Sequence, residues 1–462
     1  FAPKADLGWD PTITVSETTE GRVYHFDLEG RKFDTVAVLS DFAADAIIGR
    51  ATRAFRVIVP VSKIEYALKD VWLDDDRELE HVIYDELLGD IEKKYGKDVR
   101  EEAKKFLLTP EVHCKVKVDG QEDHTRKVMM PMKSAGYLSV QDRMDHLGTR
   151  APHEDGRTRI HHRIHYRVVF KEVATPLYNV MDLRGVFVVL KDCTRLLQWM
   201  HGCGWVHRDI SSGNVYSYGG QGLLGDLEYA KKDSGGKHDV RTGTLDFMSV
   251  EVAESRYMFE PEPNDEDSRS KASLNMGLVR IPVFYYNGIH DMESLWWLPI
   301  WMMFFHDIKS QAMMDESQMR RRVLEIKRLF PRNLDTGRRI SFLMTESSFM
   351  QSMLCLPGYF HVFFSVLSRL RSLLKRFYQK FESTLPTPDH TVLDGLHDLI
   401  SEVWDMCIKN ITGVTTLVPV DFRAYDDDVL PATSTSKRKA TIAPPLSVVP
   451  APKVPRIDSP NA

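Results

Sequence analysis

The chain has 462 residues, of which 43% are hydrophobic and 27% charged, and its formal net charge is -5. That length exceeds one ordinary hydrophobic core and predicts two or three compact units joined by linkers. The near-neutral charge balance excludes a general attraction to polyanions, so nucleic acid is not an expected partner. The longest uncharged apolar run, 295–305, is well short of the ~20 residues of a membrane-spanning helix, so it predicts a buried core helix and no membrane partner.

The five cysteines lie far apart and form neither a C-x-x-C pair nor a metal-ligand spacing. Reduced thiols in a cytoplasmic or nuclear compartment are the simplest explanation. The chain begins with Phe1 rather than Met, so targeting from the true N-terminus is not readable. The basic residues 437–439 fit a nuclear import signal and a solvated chain end equally well.

The first part of the chain has the pattern of a small sheet lobe. Short alternating or β-branched runs from about 22 to 69 predict an antiparallel sheet. A helix follows, because residues of one face recur at steps of three and four between 80 and 87. The charged, irregular stretch 91–158 indicates insertions, and a strand at 166–170 restores β character. We therefore expect an N-terminal lobe with insertions over residues 1–172.

The second part is mainly helical. Apolar residues from 186 to 200 follow steps of three and four and predict a long amphipathic helix. Helical patterns also dominate beyond 291, so residues 173–427 are expected to form a larger helical lobe. From 428 to 462 the chain is rich in Pro, Ser, Thr and basic residues with almost no aromatics, which predicts a disordered tail. The fold class is therefore α+β with two lobes.

The most specific motif is HRDISSGN at residues 207–214, which matches a catalytic-loop pattern of H-R-D, four residues and Asn. Twelve residues after its Asn, and beyond a predicted hairpin turn at Gly219-Gly220, Asp226 opens the triplet Asp-Leu-Glu. The same pattern places a metal-binding Asp at that point. The two motifs together predict phosphoryl-transfer chemistry.

Phosphoryl transfer requires alignment of the attacking oxygen and neutralisation of the phosphate charge. The catalytic machinery is therefore expected around the run His207-Arg208-Asp209, where Asp209 accepts or orients the proton of the substrate hydroxyl. Asn214 and Asp226 are expected to hold Mg²⁺, because this ion prefers hard oxygen ligands and keeps its bonds to nucleotide phosphates. No cage made of protein groups alone is required.

These motifs resemble the eukaryotic protein-kinase superfamily, and within it the chain resembles the fungal-specific protein-kinase family. The variants that carry the resemblance are HRDISSGN at 207–214, Asp-Leu-Glu at 226–228 and His-Asp-Met-Glu-Ser-Leu at 290–295. The resemblance implies a bilobal kinase fold that uses ATP and Mg²⁺. It also implies that the segment 290–295 opens a buried helix and that Asp291 anchors the backbone of the catalytic loop.

The resemblance also identifies residues upstream of the catalytic loop. Tyr-Ala-Leu-Lys at 66–69 is similar to the strand whose Lys contacts the α- and β-phosphates, which implies Ala67 and Lys69 in the nucleotide site. Glu80 is the expected ion-pair partner of Lys69, with Glu86 as the alternative.

Two further parts of the nucleotide site are expected from the same resemblance. Gly49 is the one glycine of the loop that would cover the nucleotide. Glu172 and Val173 are the linker residues expected to contact ATP in the cleft between the lobes.

The substrate class is less well defined than the chemistry. Thr244 follows Gly243 as in Ser/Thr kinases, and Glu251 ends the expected activation segment, so the implied partner is a protein with a Ser or Thr hydroxyl. Ser211 stands where many such kinases carry Lys, which leaves open a small-molecule kinase of the same fold. Glu228 in place of a Gly, together with the single glycine of the covering loop, leaves open a pseudokinase that binds partners without catalysis. The sequence indicates no oligomeric state.

Overall fold

The computed structural model describes residues 10–19, 21–41, 51–128, 162–232, 243–259, 284–309, 314–331, 333–385, 387, 389–413, 415–423 and 425. Gly49 of the expected nucleotide-covering loop lies outside these residues. The tail 428–462 also lies outside them.

The N-terminal part contains a seven-stranded antiparallel sheet. In spatial order its strands are β1 (Ile13–Thr18), β2 (Gly21–Leu28), β3 (Arg31–Asp41), β4 (Arg53–Ile58), β5 (Glu65–Asp74), β9 (Arg163–Phe170) and β6 (Pro110–Lys115). In β5 alternate side chains face opposite sides, so Leu68 joins an apolar cluster on one face while Lys69 lies on the other. The predicted sheet is present. It also includes β1, before the expected segment 22–69, and β6 and β9, after it.

The predicted helix is α1 (Glu80–Tyr95), and the residues that share its apolar face, among them Ile83 and Leu87, are buried. Insertions were expected over residues 91–158, and this expectation was wrong for residues 91–115. Those residues complete α1, form α2 (Lys97–Ala103) and supply β6 to the sheet. Three short elements follow, namely β7 (Lys117–Val118), β8 (Gln121–Glu122) and α3 (Thr125–Val128). Because its sheet partner β9 is distant in sequence, local sequence carried no signal of the role of β6.

Two basic residues of β9, His165 and Arg167, are buried. The segment before β1 covers this face, where Arg167 contacts both Asp10 and Asp70. The two ring nitrogens of His165 lie 2.7 Å from Asp70 Oδ1 and 3.0 Å from Asp123 Oδ2. Burial alone would lower the pKa of His165, but hydrogen bonds to these carboxylates raise it above its ordinary value. This polar cluster ties the start of the chain to the centre of the sheet.

The remaining described residues are mainly helical. The helices are α4 (Leu183–Gly202), α5 (Val250–Glu254), α6 (Gly288–Phe305), α7 (Glu316–Leu329), α8 (Gly337–Met344), α9 (Glu346–Met353), α10 (Phe364–Glu382) and α11 (Leu396–Asn410). Short strands lie between them: β10 (Thr175–Pro176), β11 (Trp205–Val206), β12 (Val215–Tyr218), β13 (Gln221–Leu224), β14 (Lys231–Lys232), β15 (His306–Ile308) and β16 (Leu417–Pro419). A sheet with one long helix against it and a larger helical part confirm the α+β, bilobal fold class.

The core of the helical part is α6, which is buried along its whole length. A helix that is apolar on all sides is stable only when other elements surround it, and α4 and α10 both pack against α6. Asn287 caps its start by accepting a hydrogen bond from the backbone of Ile289. The predicted core helix is thus confirmed. Among the described helices, none combines the length and apolarity needed to cross a membrane.

Candidate active site

The catalytic-loop residues 207–214 connect β11 to β12, and Asp291 of α6 anchors their backbone. Its carboxylate accepts hydrogen bonds from the N–H groups of His207 (2.7 Å) and Arg208 (2.9 Å) and from His201 Nε2 (3.0 Å). Burial alone would raise the pKa of Asp291, but the hydrogen bond and charge of His201 hold it below its ordinary value. Arg208 has a φ of 70°, which is unfavourable without such support.

We expect Asp291→Asn to lower the free energy of unfolding by about 2–4 kcal/mol, because the amide turns a donor toward groups that themselves donate. Urea unfolding at neutral pH measures this loss. Since the folded-state pKa is depressed, the wild-type contribution exists above the ordinary pKa of about 4 and disappears as the pH falls further. Asp405→Asn is the control, because its partly exposed ion pair with Lys191 contributes little. Equal stability of wild type and Asp291→Asn would contradict the anchoring role.

Asp209 is held through both oxygens of its carboxylate. Asn214 Nδ2 donates to Asp209 Oδ2 and to its main-chain oxygen, each at 2.9 Å. Thr244 donates to Asp209 Oδ1 from its backbone N–H (2.9 Å) and its hydroxyl (3.0 Å). This approach requires Gly243, which has a φ of 117° and where a Cβ would lie 3.0 Å from the carbonyl oxygen of Arg208. The side chain of Asp209 therefore has a fixed orientation.

Lys69 joins the sheet to the second motif. Its Nζ lies 2.8 Å from Glu80 Oε2 and 2.8 Å from Asp226 Oδ1. Glu80 Oε1 also accepts a hydrogen bond from the backbone N–H of Leu227 at 3.1 Å. Glu86, the alternative partner, is exposed on the other side of α1. The position of α1 thus places the carboxylate of Glu80, its first residue, beside Lys69.

Glu228 is a residue whose position sequence reasoning did not predict. It is 3% exposed, and its Oε2 lies 4.0 Å from Lys69 Nζ. The loss of Gly at this position creates no backbone strain, because the positive φ falls on Asp226 (61°) and residues 227–229 form a 3₁₀ turn. The sequence showed only the missing glycine and did not indicate that the carboxylate would lie beside the lysine.

His207 links the two motifs, and this role was also missed. Its Nδ1 accepts a hydrogen bond from the backbone N–H of Asp209 (3.3 Å), so the ring proton is on Nε2. Nε2 then donates to the carbonyl oxygen of Gly225 (3.1 Å), and the N–H of Gly225 donates to the carbonyl oxygen of Asn214 (3.0 Å). The catalytic loop and the segment that carries Asp226 are therefore held side by side.

Apolar residues continue the site away from Lys69. Ala67 lies on the same face of β5 as Lys69. Ala174 of the linker and Tyr216 of β12 pack, together with Ala67, against one apolar cluster of the sheet and the second lobe. Ala67, Ala174 and Tyr216 thus contribute to a partly exposed apolar surface between the lysine and the linker.

Glu172 and Val173 form the linker between the sheet and the helical part, and the charged side chain of Glu172 contacts the protein itself. Glu172 Oε2 accepts a hydrogen bond from the backbone N–H of Thr109 (2.8 Å), which ties the linker to the segment before β6. Val173 is half-buried. Within the described parts of the chain, no backbone hydrogen bond to another protein group involves Glu172 or Val173.

The oxygen atoms of Asn214 and Asp226 suit Mg²⁺ only together with further oxygen atoms from a ligand. No cluster of three or more His, Cys, Asp or Glu side chains able to hold a metal occurs among the described residues. Since Asn214 uses Nδ2 for Asp209, its Oδ1 is the atom suited to a cation, and Asp226 adds a carboxylate. Two oxygen ligands are enough for an ion that keeps its bonds to phosphates and water.

Three comparisons with known proteins bear on the family of this chain. Residues 1–303 match the family described as fungal protein kinase, and the match ends within α6. A comparison with curated proteins found no match in sequence. Among solved structures, the chain is similar to "ROP18 kinase domain in complex with AMP-PNP and sucrose", with 12% identity, a TM-score of 0.39 and coverage of 88% of this chain and 89% of that chain. By the family match, this chain belongs to the fungal protein kinase family, within the protein-kinase superfamily.

Proposed function

We propose that the protein is an ATP- and Mg²⁺-dependent kinase that phosphorylates Ser or Thr hydroxyls of proteins. The observation that carries this proposal is the contact of Lys69 with both Glu80 and Asp226, beside the hydrogen-bonded pair of Asp209 and Asn214. A cation, a metal-binding carboxylate and a base are the groups that phosphoryl transfer requires. We also propose that the two lobes divide at residues 172 and 173.

Each charged group has a separate task in this proposal. Lys69 Nζ binds the α- and β-phosphates, and Glu80 holds the lysine in place. Asn214 Oδ1 and Asp226 hold Mg²⁺, which when bound neutralises charge on the phosphates. Asp209 orients the hydroxyl of the substrate and accepts its proton, while Thr244 keeps the carboxylate directed into the site.

The nucleoside end of ATP is expected to lie against the apolar surface of Ala67, Ala174 and Tyr216. The peptide groups of Glu172 and Val173 are proposed to hydrogen-bond the base, because the protein itself does not use them within the described residues. Gly49 is proposed to cover the phosphates, as expected from the sequence. All five cysteines are free thiols, which supports a reducing compartment such as the cytoplasm or nucleus.

A protein substrate is favoured over a small alcohol by the contact between Thr244 and Asp209. This contact makes the end of the activation segment part of the site, so the segment that would receive a peptide also orients the base. Ser211 provides no cation; its hydroxyl accepts a hydrogen bond from the backbone N–H of Gly213 (3.3 Å) and supports the loop. Because Ser211 provides no cation, a small-molecule kinase of the same fold is the second candidate.

Phosphotransfer from labelled ATP to generic protein substrates and to metabolite alcohols, compared at equal enzyme concentration, separates the two candidates. We expect label on Ser and Thr residues of the proteins and none on choline or aminoglycoside acceptors. Transfer to an alcohol without transfer to any protein would assign the small-molecule activity. The Asp209→Asn variant is the control for label that comes from a contaminating kinase.

A further inference from the structure

Two acidic side chains meet at the end of the activation segment. Glu251 lies in the first turn of α5, and Glu382 is the last residue of α10. Glu251 Oε1 accepts the backbone N–H of Met258 (2.7 Å), and both oxygens of Glu382 lie 2.9 Å from the backbone N–H of Phe259. Met258 and Phe259 are consecutive, so the two carboxyl groups bind neighbouring backbone N–H groups, and they are close enough to share a proton.

The surroundings of this pair contain no fixed positive charge. Glu251 is fully buried and Glu382 is 8% exposed. Among the described residues, the one basic side chain within ion-pair distance of either carboxyl is His290, whose Nε2 lies 3.0 Å from Glu251 Oε2. Its Nδ1 accepts the backbone N–H of Asn287 (3.0 Å), so Nε2 is the ring nitrogen that donates to Glu251.

Two adjacent buried carboxylates without a cation would repel each other strongly. A hydrogen bond between them requires that one of them keeps a proton. Burial raises the pKa of both carboxyl groups, that of Glu251 to about 8 and that of Glu382 to about 9, so the pair keeps a proton at neutral pH. Glu251 accepts hydrogen bonds from Met258 and from His290, which favour its ionised form over that of Glu382. Glu382 is therefore the group that donates the shared proton, while its other oxygen accepts from Phe259.

We propose that Glu382 is a positioning residue that anchors the end of the activation segment through a proton shared with Glu251, and that loss of this proton releases the segment. The proposal rests on the proposed function for its catalytic consequence. Helix α6 strengthens the same anchor, since Glu293 Oε1 accepts the backbone N–H of Val250 at 2.9 Å. Release of this region loosens the neighbouring Thr244 and, through it, the orientation of Asp209.

The direction of the pH effect follows from the protonated state. Burial, with the charge and hydrogen bond of Glu251, raises the pKa of Glu382 to about 9. A raised folded-state pKa gives a contribution to stability that is complete below the ordinary carboxyl value and is lost as the pH rises through the folded value. The anchor is therefore present at neutral pH and disappears near pH 9.

Other titratable groups surround the pair, and the variants below leave them unchanged. On the helices packed around the pair these groups are His290 and Glu293 of α6 and Tyr378 of α10, with Tyr286 just before α6. Tyr257 and His390 contact Phe381, next to Glu382. Arg256 and Lys375 line the adjacent surface cavity. Only a variant that changes Glu382 itself isolates its proton from theirs.

Glu382→Gln mimics the protonated carboxyl, because its amide donates to Glu251 and its oxygen accepts from Phe259 but it cannot ionise. Hydrogen exchange of peptides covering 250–259, corrected for the intrinsic pH dependence, is followed from pH 7 to pH 10. We expect wild-type protection to fall about tenfold through pH 9 and the protection of Glu382→Gln to remain. Glu382→Ala is expected to lack the protection at every pH, and the exposed Glu402→Gln on α11 is the matched control.

The proposal is overturned if Glu382→Gln loses protection at the same pH as wild type, or if it fails to fold at pH 7. Phosphotransfer by the same proteins provides the second readout, and we expect kcat of wild type but not of Glu382→Gln to fall near pH 9. If the exchange result is as expected but neither protein transfers phosphate at any pH, the anchor stands and the proposed function fails.

Discussion

Asp209→Asn is expected to lower kcat of phosphotransfer by about 10²- to 10⁴-fold, the usual contribution of a general base. The amide accepts no proton from the substrate hydroxyl. It also turns an NH₂ group toward either Thr244 or Asn214, both of which donate hydrogen bonds to the carboxylate in the wild type. Steady-state kinetics with a protein substrate measure the loss.

Affinity for Mg²⁺ and ATP should change little in Asp209→Asn, because Lys69, Asn214 and Asp226 are retained. Asp85→Asn, on the exposed side of α1, is the matched control and should retain wild-type kinetics. A kcat within a factor of about two of wild type would assign the proton transfer to another group and remove Asp209 from the mechanism.

Asp226→Ala is expected to lower phosphotransfer by at least about 10³-fold, since a metal ion contributes several kcal/mol of transition-state stabilisation. Lys69 keeps its contact with Glu80 at 2.8 Å, so the lysine remains in place while the metal-binding carboxylate is lost. ATP binding should consequently become weak and insensitive to Mg²⁺. Titration of a fluorescent ATP analogue with and without Mg²⁺, together with autophosphorylation, measures both effects.

The same experiment decides between a kinase and a pseudokinase scaffold. A scaffold that binds partners without chemistry would show no autophosphorylation in either wild type or Asp226→Ala, and no dependence of nucleotide binding on Mg²⁺. That outcome would replace the proposed activity with a binding role. Thermal unfolding of both proteins is the control, because a loss of fold would remove binding for a different reason.

Local spacing predicted the parts of the site that are close in sequence. The eight residues of 207–214 and the later Asp226 could be singled out because their spacing matches that of a kinase catalytic loop and its following Asp. The face of α1 and the buried character of α6 were also readable, since helical periodicity and a continuous apolar run are local properties. These predictions do not depend on which distant segments come into contact.

Contacts between distant segments were decided by folding. The partner of Lys69 remained open between Glu80 and Glu86 until the packing of α1 placed one beside the lysine and left the other exposed. Likewise, Glu251 and Glu382 are far apart in sequence, and nothing near either residue indicates that it meets another carboxyl group. The charge of each side chain and the periodicity of apolar residues are properties of the local sequence. Burial and pairing between distant residues arise only when separate elements pack. Burial and long-range pairing therefore determine whether a buried carboxyl group keeps its proton.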